Sequence, residues 1–184
     1  MNAVATREEN IFDAALVAAV IYDDFDLAAH AVASLERSAL RADETMKWRV
    51  KPWRLDALEQ PAHVGVAASE TADADLVILV LSQPTVSAEE LLHWLDIWAQ
   101  VRHVADAALL LFCSPAEAGE PLRSELERLA RRRGLTFLGN RNPWDEDSSL
   151  RFIQQSWQRE QLVSAAFRSY AENPPVLQHW GIND

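Results

Sequence analysis

The chain has 184 residues, 17 Lys plus Arg against 28 Asp plus Glu for a formal charge of -11, 49% apolar residues and one cysteine. That length fits one domain with a full core, and the acidic balance argues against a nucleic-acid partner because it repels a phosphate backbone. Cys113, alone and inside an apolar run, excludes an intramolecular disulfide and a Cys-x-x-Cys metal site. Residues 1–13 carry Arg7, Glu8, Glu9 and Asp13 with no apolar run, so they do not read as a signal peptide, and nothing approaches the ~18 apolar residues of a membrane span. The expectation is a soluble, cytoplasmic protein without a membrane partner.

In chain order, Ala14 to Tyr22 is a continuous apolar run, as a parallel strand covered on both faces requires, and it ends at Asp23-Asp24. Phe25 to Leu40 repeats apolar residues at helical spacing through Leu27, Ala28, Ala31, Val32, Leu35 and Ala39. Lys47 to Leu55 alternates Trp48, Val50 and Trp53 with charge, and Pro52 assigns it to a sheet edge. A short helix is expected around Ala62 to Ser69, weakened by Gly65. Asp75 to Leu81 is the clearest buried strand. Ser87-Ala88-Glu89-Glu90 then has the form of a capping box opening a helix with Leu91, Leu92, Leu95, Trp98 and Val101 on one stripe.

Ala107 to Cys113 predicts a fourth strand and Pro121 to Arg133 a helix closed by Gly134. Arg131-Arg132-Arg133 at its end offsets the helix dipole, which explains that basic cluster without a nucleic acid. Leu135 to Leu138 predicts a fifth strand, and about Ser148 to Ala171 a long final helix stopped by Pro174-Pro175. Strands alternating with helices imply parallel strands and right-handed crossovers. The expected fold is a three-layer α/β/α doubly wound sandwich with a five-stranded parallel sheet of order 2-1-3-4-5, the flavodoxin-like arrangement. One domain spans 14–171, after an N-terminal extension, 1–13, and before a C-terminal tail, 172–184.

The order of elements and several local signatures resemble the receiver domain of bacterial response regulators. Asp23-Asp24 at the end of the first strand is similar to that family's cation-holding acidic pair, and Asp75-Leu76-Val77-Ile78-Leu79-Val80-Leu81-Ser82-Gln83-Pro84 follows its D-L-V-L-L-D-L-x-x-P pattern. Val80 stands where the family has its phosphoacceptor aspartate. Phe112-Cys113-Ser114 puts Cys113 or Ser114 at the Ser/Thr switch position, and Pro143-Trp144 keeps only the end of the K-P-F motif, without its lysine. The resemblance, over about Ala14 to Ala171, implies a signalling module that retains at most weak Mg²⁺ affinity at Asp23 and Asp24.

Other chemistries find less support. Asp23 and Asp24, with Asp26 behind them, lie where open α/β sheets bind ligands, yet Asp24 or Asp26 equally suits the N-cap of the helix that follows. Asp24-Phe25-Asp26 with Ser82 also resembles the D-x-D of haloacid-dehalogenase-like phosphatases, whose lysine and later acidic pair have no counterpart here. A flavodoxin-type phosphate loop would want Ser, Thr or Gly after the first strand. The chain has five glycines and neither G-x-G-x-x-G nor a Walker pattern, so no cofactor is expected. His30, His63, His93, His103 and His179 form no ligand pair at metal-site spacing.

Two readings remain. The first is a non-catalytic binding or regulatory module acting through a protein partner or as a homodimer, with Trp53 and Trp94, among seven tryptophans, as interface candidates. Trp98 and Trp157 are expected in the core instead. The alternative is a small enzyme or ligand-binding protein, for example a Mg-dependent phosphatase, using a strand-end pocket formed by Asp23, Asp24, Ser82, Ser114 and Asn140.

Overall fold

A computed structural model describes residues 15–43, 46–82, 88–113 and 120–138, with residue 158. The elements are β1 (Leu16–Tyr22), α1 (Phe25–Ala42), β2 (Trp48–Arg54), α2 (Leu55–Leu58), α3 (Pro61–Glu70), β3 (Leu76–Leu81), α4 (Ala88–Val101), β4 (Ala108–Cys113), α5 (Glu120–Arg133) and β5 (Thr136–Phe137). All strand pairings are parallel, and the sheet order is β2-β1-β3-β4-β5. This is the expected doubly wound α/β fold, with each strand within two residues of its predicted bounds.

Side chains alternate across the sheet and build two cores. Val17, Ala19 and Ile21 of β1 share one face with Val77, Leu79 and Leu81 of β3 and with Leu109, Leu111 and Cys113 of β4, under α2, α3, α4 and α5. Leu16, Ala18, Val20, Leu76, Ile78, Val80, Ala108 and Leu110 occupy the other, where α1 contributes Ala28, Ala31, Leu35 and Ala39. Burial on both faces explains why β1 and β3 read as unbroken apolar runs. The second strand differs because it is outermost. Pro52 lies opposite Val20 and is exposed, as tolerated where one side of a strand lacks a sheet neighbour among the described residues.

Two differences from the sequence expectations, at Leu55 and Trp94, have physical causes, while the short helix expected near Ala62 to Ser69 is borne out. Leu55 ends no strand; it opens α2, where Leu55 and Leu58 bury at helical spacing. The weak helix is present as α3, started by Pro61 at its first turn, and it buries only Val64, Ala67 and Ala68. Nothing lies within 4 Å of where a Cβ at Gly65 would sit, so packing does not require a glycine there. The other difference is Trp94, expected at an interface. Its exposure is 0%, and its ring stacks on Trp98 at a centroid distance of 6.4 Å, so it is core and offers a partner nothing. Ser87 of the capping box, Trp157 and all of the predicted final helix except Gln158, which is helical and exposed, lie outside the described residues.

α5 ends as its sequence implies. Gly134 has φ of +67°, and the Leu135 N–H donates to the Ala130 carbonyl at 2.9 Å, the long-range bond of a Schellman turn. Of the three arginines, Arg133 is anchored to α4 by paired bonds to the two Asp96 oxygens at 2.8 and 2.6 Å. Arg102 donates across to the Arg133 carbonyl at 2.6 Å and to the Val104 carbonyl at 3.1 Å, closing the ends of both helices. Asp96 therefore answers Arg133 rather than His93, its neighbour one turn away, which is exposed.

Candidate functional site

The candidate site lies at the carboxyl ends of β1 and β3, where paired strands stop at Tyr22 and Val80 in register. Asp23 continues the chain past β1. Its backbone N–H donates to the Val80 carbonyl at 3.3 Å, and its carboxylate accepts from the Ser82 backbone N–H with both oxygens, at 2.8 and 3.0 Å. The side chain thus finishes the β1–β3 ladder one residue beyond the strands. An acidic residue suits this place because it accepts from a backbone donor that has run out of strand partners.

Asp24 has a different job. Its extended backbone (φ -125°, ψ 124°) and the 2.8 Å bond from the Leu27 N–H to Oδ1 make it the N-cap of α1. Asp26 sits in the first turn, where a negative charge favours the helix dipole, and its carbonyl accepts from His30 Nδ1 at 2.8 Å. Capping, one of two readings open from the sequence, is what the geometry shows for Asp24. Neighbouring Phe25 lies 72% exposed, edge-on to Tyr22 at 6.4 Å between centroids.

Tyr22 is in register with Arg54 of β2, the nearest described cation to this end of β1 in the sheet. Arg54 donates to Asp56 through Nε at 3.0 Å and Nη2 at 2.7 Å. That bidentate bond holds the Asp56 carboxyl below its ordinary range and raises the guanidinium further above its own. Arg54 is thereby paired with Asp56 at the exposed end of β2.

Ser82 joins the site through its backbone N–H; the side chain is half-buried. Ser114 and Asn140 lie outside the described residues. Trp53 is half-buried and packs on the core under α2 to α5. As a divalent-cation site the donor set fits poorly. Each of the adjacent carboxylates already accepts a backbone N–H, and among the described residues no group of three acidic, His or Cys side chains gathers around an ion position.

The side chain that sequence reasoning missed is Asp75, at the opposite end of the sheet. It is 2% exposed, and its carboxylate accepts from the Val17 N–H at 2.9 Å. Its own N–H donates to the Val17 carbonyl at 2.9 Å, and its carbonyl accepts from Ala108 at 2.8 Å, so one residue staples β1, β3 and β4 together. The signal was present: an acidic residue abutting a six-residue apolar strand must meet solvent or a backbone donor, and every neighbour here is core.

No helix among the described residues is long and apolar enough to cross a membrane. Compared with protein-family models, with curated proteins and with solved structures, the chain matches none.

Proposed function

We propose that this chain is a non-catalytic binding or regulatory module, similar to a bacterial signalling receiver that has lost phosphotransfer, acting in the cytoplasm through protein contacts. The observation that carries the reading is Val80. It occupies the strand position that the receiver resemblance assigns to the phosphoacceptor, it has no nucleophilic atom, and its exposure is 0% within the α1-side core. Phosphoryl transfer to a protein needs a nucleophile, a cation for the phosphoryl oxygens and a group to stabilise the product. Asp23 and Asp24, the nearest carboxylates, serve the β1–β3 junction and the α1 cap.

The partner chemistry follows from charge. Several basic side chains are satisfied internally, Lys51 with Asp73 at 2.5 Å, Arg54 with Asp56 at 2.7 Å and Arg133 with Asp96 at 2.6 Å, in a chain of net charge -11. That supports a protein partner over a polyanion. The test is incubation with acetyl phosphate and Mg²⁺, followed by intact mass. No mass gain is expected. A stoichiometric gain of one phosphoryl group would overturn the reading.

A further inference from the structure

Among the described residues α1 is the one helix on its side of the sheet, and it packs against β2, β1 and β3. A helix about 10–12 Å across covers little more than two strands at about 4.8 Å spacing, so β4 needs another cover on this side. It has one. Ala108 is 0% and Leu110 6% exposed on that face, with Phe112 and Leu138 half-buried beside them. The helices α2 to α5 do not provide it, because their side chains belong to the core on the opposite face.

We propose that residues 148–171 form a helix that docks on β4 and β5 beside α1 and closes this half of the sheet. Gln158, helical and exposed, fixes which way such a helix faces. At about 100° per residue, Phe152, Ile153, Val163 and Phe167 fall within about 60° of the direction opposite Gln158. Gln154, Gln155, Gln161 and Ser169 fall within about 60° of Gln158 itself. The solvent side is thus polar and the far side apolar, with Leu162 and Glu160 as the two departures from the pattern.

Length and reach select the same segment. Residues 139–147 can span about 30 Å when extended, ample for a turn from the end of β5 back over a neighbouring strand. A helix over 148–171 runs about 36 Å, longer than the roughly 20 Å of β4. Residues 83–87 and 114–119 are too short to cover a strand, which leaves 1–14, with Ile11 and Phe12, as the competing occupant. The inference goes beyond the reading of the chain as a binding module and holds independently of it. With this half closed, the sheet offers another protein no apolar face.

The experiment is limited trypsin digestion of the native full chain, read by mass. Cleavage after Arg159 and Arg168 should be as slow as cleavage within 15–138, because a docked helix resists proteolysis and a detached one does not. Ile153→Asp and Phe167→Asp should speed it about tenfold or more, whereas Gln154→Asp and Gln161→Asp should leave it unchanged. Should the Asp variants fail to fold, Phe167→Ala gives the milder form of the same change. Denaturation midpoints then place the helix on the sheet. Leu110→Ala should combine non-additively with at least one of Ile153→Ala, Val163→Ala and Phe167→Ala, and Leu111→Ala, on the opposite face, should add to each of them independently. Immediate loss of the tail from the native chain, equal effects of apolar-side and Gln substitutions, or coupling of Leu110 to Ile11 and Phe12 instead would each overturn the proposal.

Discussion

Three aspartates near strand ends divide the labour of the sheet, and their identities alone do not say how. Asp23 completes a ladder, Asp24 caps a helix and Asp75 staples three strands from inside the core. Acidic residues after a strand are equally consistent with a metal pair and with caps, because both need carboxylates at a strand–helix junction. Geometry decides between them. Asp75 makes the sharpest prediction at this scale. Asp75→Ala leaves the Val17 N–H buried without its side-chain acceptor and should cost about 1–3 kcal/mol in chemical denaturation. Asp75→Asn keeps an oxygen acceptor and should cost less. Equal losses for the two variants would show that the staple's worth lies in its charge or its volume rather than in the bond. Trp94 is the converse lesson. Its type suits an interface, yet four residues along α4 Trp98 donates to the Thr71 carbonyl at 2.9 Å, and both rings fill the same core. Exposure depends on which helix face meets the sheet, and two adjacent stripes on one helix do not announce which that is.

Among the elements, β1 and β3 were the most legible because a strand buried on both faces leaves no room for polar residues. β2 was recognisable by contrast, its Pro52 and alternating charge fitting an edge. α2 was not, since Leu55 and Leu58 alone cannot tell a strand end from a single helical turn. The end of α5 was readable from one residue. Gly134 holds a left-handed φ of +67°, which a Cβ makes strained even though the nearest other atom, Arg102 Nη2, is 3.9 Å from where it would sit. Gly134→Ala should therefore destabilise by about 1 kcal/mol through backbone strain, measured as a lower denaturation midpoint with unchanged slope. Gly65→Ala, in open space within α3, should instead be neutral or stabilising. If both substitutions shifted the midpoint alike, local backbone conformation would not be the cause.

At the scale of the whole molecule, the described helices are unevenly shared: α2 to α5 cover one face of the sheet, and α1 supplies the helical side chains of the other core. The fold class followed from alternation of strands and helices, which is a global pattern and survives local misreadings. Ser114 and Asn140 fall outside the described residues, so of the strand-end candidates the structure places Asp23, Asp24 and Ser82. That unevenness also places Cys113, whose side chain points into the four-helix side at the end of β4 with 7% exposure. A thiol so placed is a clock. A disulfide reagent in water reaches the sulfur only when the end of β4 parts from its cover, so the labelling rate in native buffer is the intrinsic thiol rate scaled by the opening equilibrium. Labelling should be orders of magnitude slower than in the unfolded chain, and a rate equal to the unfolded one would contradict the burial. Because the chain holds no other cysteine, the breathing of one strand end can be timed without adding a probe or removing a residue.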